Sequence, residues 1–258
     1  MQLIDTHCHL DDPQFANSLA QIVDRASEVG VRTAITVGTT ANTSLRCISL
    51  AAQYPMLFAA VGIQPNHCAE VEPGDWDRIV VAAQAKKVVA LGETGLDRYW
   101  QDVPFPTQQD YFDRHLRLSQ QIQLPFIVHM RDCDDDVLAM LRAVRARGPL
   151  QGVMHSFTGT RATAEECVTL GMYISFAGMV TYKKSDELRR IAAIVPPDKI
   201  LIETDAPYLS PHPCRNQRPN EPALIVHTAQ CLANERGVHL EDFARQTTEN
   251  AQRLFRFV

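Results

Sequence analysis

The sequence has no long apolar run and no N-terminal targeting pattern. No uninterrupted hydrophobic stretch approaches the roughly 18 residues that a membrane-spanning helix needs. Residues 1–5 lack a basic start followed by an apolar core, so we expect no secretory signal. The cysteines number seven, an odd count, and they are scattered, which is typical of reduced thiols. We therefore expect a cytoplasmic protein that does not contact the membrane.

A surplus of positive charge is also missing. The formal net charge is −5, whereas a protein that holds long duplex nucleic acid with its whole surface is usually basic. If this chain binds nucleic acid, it does so at a local site. Glycine and proline are not in excess, and apolar residues make up 45% of the chain, so disordered and fibrous classes are excluded and a sizeable core can form.

The sequence contains short apolar runs that alternate regularly with amphipathic stretches. Alternation of this kind is typical of parallel β/α units, and eight units in 258 residues favour a closed (β/α)8 TIM barrel over an open sheet. No Gly-x-Gly-x-x-Gly turn follows the first run, which weakens a dinucleotide-binding interpretation. We predict a single domain over residues 1–258. The predicted strands are residues 3–4, 33–37, 57–63, 88–91, 126–128, 152–154, 172–176 and 200–202.

Side chains that can bind metal ions stand at the ends of these predicted strands. In a barrel the carboxyl ends of the strands converge on one face, where active sites lie. A lone histidine at a strand end is usually a hydrogen-bonded core residue, but several isolated buried polar groups would each carry a desolvation penalty that a shared metal removes. The candidate ligands, from five strands, are His7, His9, Glu93, His129, His155 and Asp205.

The spacing of His7 and His9 fits a common ligand position. Residues i and i+2 of a strand face the same side, so both imidazoles reach one ion while Cys8 faces the helix layer. Six ligands exceed the needs of one tetrahedral zinc with an open position, and they suit two ions bridged by a carboxylate. Imidazole-rich ligation fits Zn²⁺ or Mn²⁺, and Mg²⁺ fits when water fills the other positions.

Five segments in order resemble the TatD family of metal-dependent deoxyribonucleases, which belongs to the amidohydrolase-like barrels. The resemblance covers essentially the whole chain and implies a barrel of the metallo-dependent hydrolase type. The segments are Asp5-Thr6-His7-Cys8-His9-Leu10, Gly92-Glu93-Thr94-Gly95-Leu96-Asp97, His129-Met130-Arg131-Asp132, His155-Ser156-Phe157-Thr158-Gly159 and Glu203-Thr204-Asp205-Ala206-Pro207-Tyr208-Leu209.

The resemblance implies two metal positions that share Glu93. One uses His7, His9, Glu93 and Asp205, and the other uses Glu93, His129 and His155. It also implies hydrolysis of phosphodiester bonds, with DNA ends as the substrate and cleavage often proceeding from the 3′ end. We accordingly expect a 3′-5′ exodeoxyribonuclease, with single-stranded DNA or RNA as further substrates, that acts as a monomer or weak oligomer.

One departure from the family pattern lies in the third predicted strand-loop segment. Many members carry a histidine before the proline of this segment, whereas this chain has Gln64 before Pro65. Glutamine donates a hydrogen bond to phosphate but carries no charge. His67 follows three residues later, and we expect Gln64 and His67 to be substrate-binding residues of this loop.

For catalysis we expect Asp205 to act as the general base, with Glu93 bridging the ions. Arg131, two residues after His129, either binds phosphate through its planar guanidinium or forms a salt bridge to Asp132 or another carboxylate.

Other residues near the predicted mouth leave two interpretations open. The cations either contact phosphate or are solvated surface charges, and the aromatic rings either stack on a base or pack the loop. The cations are Lys183, Lys184, Arg215 and Arg218, and the aromatic residues are Tyr99, Trp100 and Phe105.

Two alternative functions differ in the bond attacked or in the absence of catalysis. An amidohydrolase-type enzyme would cleave an amide, a lactone or another phosphoester, but many of these carry a bridging lysine, and no lysine ends a strand here in a comparable motif. A binding protein without catalysis could lose Asp205 or Glu93, and both are present.

Overall fold

Eight parallel strands form one sheet in sequence order, from β1 to β8. The structure is a computed structural model that describes residues 1–257. It confirms all eight predicted strands, although β1, β4 and β5 extend beyond the apolar runs, because their pairing continues through the polar residues that follow. The strands are β1 (Leu3–Cys8), β2 (Val31–Val37), β3 (Leu57–Val61), β4 (Val88–Asp97), β5 (Phe126–Arg131), β6 (Gly152–Met154), β7 (Tyr173–Phe176) and β8 (Ile200–Ile202).

The sheet closes where the segment after β8 meets the end of β1. Cys8 and Ala206 form an isolated parallel bridge. The amide of Asp205 donates to the carbonyl of His7 at 2.9 Å, and the amide of His9 donates to the carbonyl of Ala206 at 2.6 Å. These bonds confirm the predicted TIM barrel, and they join three candidate ligands through the backbone.

Helices follow the strands and form the outer layer. The last two helices, α8 and α9, both follow β8. Of residues 1–257, none lies in a helix that has both the length and the apolar character needed to cross a membrane. The helices are α1 (Leu19–Glu28), α2 (Ala41–Gln53), α3 (Asp75–Ala82), α4 (Phe105–Ile122), α5 (Asp134–Arg145), α6 (Arg161–Leu170), α7 (Asp186–Ile194), α8 (Ile225–Glu235) and α9 (Leu240–Phe255).

The barrel interior is apolar below the mouth. Inward residues such as Ile35 and Ile127 pack with Leu254 and Phe255 from the end of α9, which covers the amino-terminal end of the barrel. Cys8 instead packs between the barrel and the helix layer, as the alternation of β1 predicts. This end is filled with hydrophobic side chains, and the buried carboxylates and histidines of the barrel lie toward the carboxyl ends of the strands.

Strand β4 carries a glycine on either side of Glu93–Thr94. At Gly95, with φ of 134°, an added Cβ would lie 2.0 Å from the carbonyl oxygen of His129. Only glycine permits this conformation and this approach. The close passage of β4 along β5 brings the backbone of one candidate ligand against that of another.

Candidate metal centre

The first group of predicted ligands surrounds the Oε2 atom of Glu93, and we call His7, His9 and Asp205 the Oε2 cluster. The Nε2 atoms of His7 and His9 are 3.2 Å apart and lie 3.6 and 3.7 Å from Glu93 Oε2. They lie 3.8 and 3.6 Å from Asp205 Oδ1. Donors about 2.1 Å from a tetrahedral ion are separated by roughly 3.4 Å. The two histidine nitrogens therefore have metal-ligand spacing to each other and to each of the two carboxylate oxygens, and His7, His9 and Asp205 form one candidate metal-binding group.

The second group surrounds the other oxygen of the same carboxylate, and we call His129 and His155 the Oε1 cluster. His129 Nδ1 lies 2.9 Å and His155 Nε2 lies 3.3 Å from Glu93 Oε1. Glu93 is only 4% exposed, and it lies inside β4 rather than at its end. Its two oxygens thus face two different sets of nitrogens, as a carboxylate bridging two ions would.

The far nitrogen of most of these rings is already engaged. His9 Nδ1 lies 2.9 Å from the carbonyl of Val37, and His129 Nε2 lies 2.9 Å from Asp97 Oδ2. His155 Nδ1 lies 3.3 Å from Glu203 Oε1. Because these oxygens only accept hydrogen bonds, each far nitrogen carries a proton, and the near nitrogen is the atom left to bind a metal ion. Imidazole nitrogens and carboxylate oxygens are donor atoms that divalent metal ions accept, so the residues fit such ions.

The electrostatics of the cluster also favour positive charge. Burial alone lowers the pKa of an imidazole, yet the hydrogen bond to Asp205 and the charge of Glu93 raise the pKa of His9 to about 9. The pKa values of His129 and His155 are raised against burial as well, by carboxylate hydrogen bonds and charges. Burial would raise the pKa of Glu93, but the His155 charge and hydrogen bonds from the histidines hold it well below its usual value.

His7 differs from the other three histidines. Burial and the charges of His155 and His9 lower its pKa. Its Nδ1 is a buried nitrogen for which residues 1–257 supply no hydrogen-bond partner. Its ring is stacked on His155, with centroids 4.0 Å apart, and His7, Glu93 and His155 also lie within metal-ligand distance of one another. His7 thus belongs to the Oε2 cluster through its Nε2 atom, and the face of its ring contacts His155 of the Oε1 cluster.

Two buried carboxylates that orient the histidines were not assigned a role from the sequence. Asp97 binds His129 through Oδ2, accepts from Asn66 with the same oxygen, and accepts the amides of Tyr99 and Trp100 with Oδ1. Burial would raise its pKa, but these hydrogen bonds lower it to about 2. Metal-binding histidines usually donate their other N–H to such a group, so a search for second carboxylates on the same strand face would have indicated Asp97.

Glu203 orients the ring of His155, as Asp97 orients that of His129. Its Oε1 also accepts the amide of Ser156, and its Oε2 accepts the Ser175 hydroxyl at 2.6 Å. The neighbouring carboxylate Asp5 accepts the amide and hydroxyl of Thr204, which ties β1 to the segment that carries Asp205. Burial raises the pKa of Asp5 to about 7 against these hydrogen bonds.

Arg131 lies on the rim of the mouth and forms no salt bridge within residues 1–257. Its guanidinium lies over the ring of Tyr99, 3.7 Å from the centroid, and 5.9 Å from that of Trp100. Both aromatic side chains are half-exposed, whereas Phe105 packs under Arg98 as the first residue of α4. The salt bridge between Arg131 and Asp132 considered from the sequence is therefore absent among the described residues.

The other two predicted substrate-binding residues lie in the loop after β3. Gln64 is buried, and its Oε1 accepts the amide of Asn66 at 2.8 Å, which caps the 3-10 helix Pro65–Glu70. His67 is partly exposed, with Nδ1 3.2 Å from Glu70 Oε2. The structure thus places Gln64 behind Asn66 and Asp97, and it places His67 in a local contact with Glu70.

Proteins already known resemble this chain along nearly its full length. The uncharacterized metal-dependent hydrolase YabD of Bacillus subtilis is 36% identical over 254 residues, which cover 98% of this chain and 99% of that protein. The 3′-5′ ssDNA/RNA exonuclease TatD of Erwinia billingiae is 35% identical over 260 residues, which cover 98% and 99%. The crystal structure of YJJV, a TatD homolog from Escherichia coli K12, superposes with a TM-score of 0.92 at 32% identity and 98% coverage of both chains.

The match to a family as a whole agrees with the motifs and with the geometry of the mouth. Residues 4–256 match the family described as TatD related DNase, which confirms the resemblance that the five segments indicate. The chain therefore belongs to the TatD family, and it is a metal-dependent hydrolase that acts on ester bonds.

Proposed function

We propose that this enzyme, acting as one domain, is a 3′-5′ exonuclease that removes nucleotides from single-stranded DNA or RNA with two divalent metal ions. The supporting observation is that the two oxygens of Glu93 face separate sets of histidine nitrogens. A relative that is 35% identical is named a 3′-5′ ssDNA/RNA exonuclease, which supports the choice of bond and polarity. The net charge of −5 fits a local site for one strand end.

The residues that would hold the ions follow from the two clusters. The Oε2 cluster with Glu93 supplies four donors, and the Oε1 cluster with Glu93 supplies three. Such a pair of ions, as Mg²⁺, Mn²⁺ or Zn²⁺, lowers the pKa of water and neutralises charge on the phosphoryl oxygens. The smaller donor set leaves more positions for water and substrate on the side of His129 and His155.

Asp205 is the proposed general base. Burial would raise its pKa, but its hydrogen bond to His9 and the histidine charges lower it, so the carboxylate is ionised at neutral pH. Its Oδ1 faces His7 and His9, which leaves Oδ2 to take a proton from the attacking water. The bond between phosphorus and the 3′ oxygen of the preceding nucleotide breaks, Asp205 returns the proton to that oxygen, and a 5′-mononucleotide leaves.

Arg131, Gln64 and His67 are the proposed substrate contacts. Arg131 follows His129 by two residues on β5, so its side chain leaves the strand on the same face. Its planar fork suits a phosphate oxygen pair, while Tyr99 below it offers a ring for a terminal base. Gln64 uses Oε1 in its cap, so Nε2 is the atom that donates to phosphate.

The test is digestion of single-stranded DNA labelled at the 3′ or the 5′ end, with Mg²⁺ or Mn²⁺ and with or without chelator. We expect immediate release of labelled mononucleotide from the 3′-labelled strand, a shortening ladder from the 5′-labelled strand, and no cleavage of circular single-stranded DNA. Chelator and Glu93→Ala should abolish release. Glu166→Ala is a suitable control, because Glu166 pairs with Arg142 on the outer helices.

Two outcomes would contradict the proposal. Cleavage of the circle would make the enzyme an endonuclease. No release from any strand, together with turnover of an amide or lactone, would indicate amidohydrolase-type chemistry at the same cluster.

A further inference from the structure

Among residues 1–257, the lysines and arginines that lack a carboxylate, carbonyl or amide-oxygen partner are concentrated at the mouth of the barrel. Most cations of this chain form a salt bridge, as Arg98 does with Asp136, or donate to a carbonyl or amide oxygen, as Arg236 does at the end of α7. Within residues 1–257, the cations that form neither kind of contact are Lys86, Arg131, Arg145, Lys183, Lys184, Arg215 and Arg218.

Five of these seven cations lie where strands end. Arg131 is the last residue of β5. Lys183 and Lys184 lie between β7 and α7, and Arg215 and Arg218 lie in the long segment after β8. Lys86 and Arg145 lie at the opposite face, where helices α3 and α5 end and the chain returns to a strand. All seven are exposed.

The chain carries more acidic than basic residues, so the lack of a carboxylate partner for the mouth cations within residues 1–257 is unexpected. Carboxylates neutralise the arginines of the outer helices in i, i+3 and i, i+4 pairs, such as Arg190 with Glu187. At the mouth, the guanidinium of Arg215 instead lies over Tyr182, 3.8 Å from the ring centroid, as Arg131 lies over Tyr99. An aromatic ring restrains an arginine without cancelling its charge. These charges therefore remain available to an anionic ligand.

The exposed aromatic and basic residues lie in two groups on opposite sides of the mouth, and these positions define a path for a bound strand. Strands follow each other in sequence order around the barrel, so the segment after β8 lies four strands from β4, on the opposite side of the mouth. Tyr99, Trp100 and Arg131 are on the β4–β5 side, while Lys183 and Arg215 are on the β7–β8 side. A chain that runs from one side to the other passes over Glu93 and its two clusters.

We propose that Lys183, Lys184, Arg215 and Arg218, which we call the basic rim, bind the phosphate backbone of a single-stranded polynucleotide upstream of its scissile bond. The inference rests on the proposed exonuclease function and adds the direction of the strand. The 3′-terminal nucleotide lies against Tyr99 and Arg131, and the 5′ portion leaves across the basic rim. Affinity then rises with strand length until the phosphates over the rim are occupied.

The test compares two matched double variants, each of which removes one lysine and one arginine. Lys184→Gln/Arg218→Gln changes the basic rim, and Lys86→Gln/Arg145→Gln changes the opposite face. Binding of a fluorescent single strand of about 12 nucleotides is measured without metal as a function of salt. Each phosphate contact contributes about 0.7 to the slope of log affinity against log salt, so the rim variant should lose about 1.4. Between about 50 and 200 mM salt that difference is about sevenfold.

A second measurement uses hydrolysis. The ratio of kcat/KM for the long strand to kcat/KM for a dinucleotide should fall in the rim variant and stay at the wild-type value in the opposite-face variant. Equal salt slopes and equal kcat/KM ratios in both variants, with wild-type enzyme still digesting the strand, would overturn only the proposed binding role of the basic rim. A wild-type protein that neither binds nor digests any strand would overturn the exonuclease function as well.

Discussion

The Oε2 cluster and the Oε1 cluster share the Glu93 carboxylate but differ in what supports their histidines. Behind His129 and His155 stand the buried carboxylates Asp97 and Glu203. Behind His9 stands only the carbonyl of Val37, and the described residues supply no partner for His7 Nδ1. The Oε2 cluster instead has a ligand carboxylate of its own, Asp205.

The difference indicates two ways of placing negative charge near a metal ion. In the Oε2 cluster the second carboxylate is a direct ligand candidate, which completes a set of four donors with Glu93. In the Oε1 cluster the extra carboxylates lie one hydrogen bond further out, where they fix ring orientation and raise ligand basicity while leaving ligand positions open. We therefore expect the ion of the Oε2 cluster to have more protein ligands and the ion of the Oε1 cluster to be more accessible to substrate.

The largest effect should follow from removing the shared ligand. Glu93→Ala removes the carboxylate that both proposed ion positions share, so we expect loss of both ions and a fall in kcat/KM on the order of 10⁴-fold or more. Metal content of purified protein and hydrolysis of 3′-labelled strand measure the two effects. Retention of one tightly bound ion per chain would show that one cluster does not need the bridge.

Removing one histidine from each cluster should separate the ions. We expect His7→Ala to lose mainly the ion of the Oε2 cluster and His129→Ala to lose mainly the other, each with a decrease in kcat of about 10³-fold. Stepwise metal titration by calorimetry distinguishes one remaining site from none. Equal loss of both ions in His7→Ala would mean that its contact with His155 makes it a ligand of both positions.

The orienting carboxylates should matter less than the ligands. Asp97→Asn keeps an acceptor for the amides of Tyr99 and Trp100 but directs an NH₂ toward His129 Nε2. That moves the ring proton to Nδ1, the atom that faces Glu93. We expect a loss of about 10–100-fold in affinity for the ion of the Oε1 cluster, with little change at the other ion.

A matched control for Asp97→Asn is Asp136→Asn, which removes a carboxylate that pairs with Arg98 on the same side of the barrel without touching His129. Equal effects of the two variants would show that general rim charge, rather than ring orientation, sets the affinity.

The smallest effect should come from the residue behind the orienting group. Gln64→Ala removes the acceptor for the amide of Asn66, which in turn donates to Asp97, so we expect a loss of about 1 kcal/mol of unfolding free energy and less than tenfold in metal affinity. Urea denaturation measures the first quantity. Gln64→Glu keeps the accepting oxygen, so its free energy of unfolding should remain close to that of the wild type. A metal-binding defect as large as that of Asp97→Asn would place Gln64 in direct contact with the reacting groups.

Strand positions explain why the candidate ligands could be found from the sequence, whereas the carboxylates that orient two of the histidines could not. His7 and His9 follow an apolar run with a spacing of two, and Glu93, His129 and Asp205 each follow another such run, which is a local pattern. Asp97 is also on the Glu93 face of β4, but its partner depends on the register that sets β4 beside β5. The ends of β4 and β5 were misplaced because pairing, and not hydrophobicity, extends them.

By itself the sequence determined the barrel, the family and the six residues that converge at its mouth, because period and order along the chain decide which side chains reach that face. Only the tertiary structure decided which oxygen of Glu93 faces which nitrogens, that Asp97 and Glu203 support two of the rings, and that the basic rim has no carboxylate partner among residues 1–257. Those relations join residues far apart in the chain, and they depend on register, ring orientation and packing across the closed sheet.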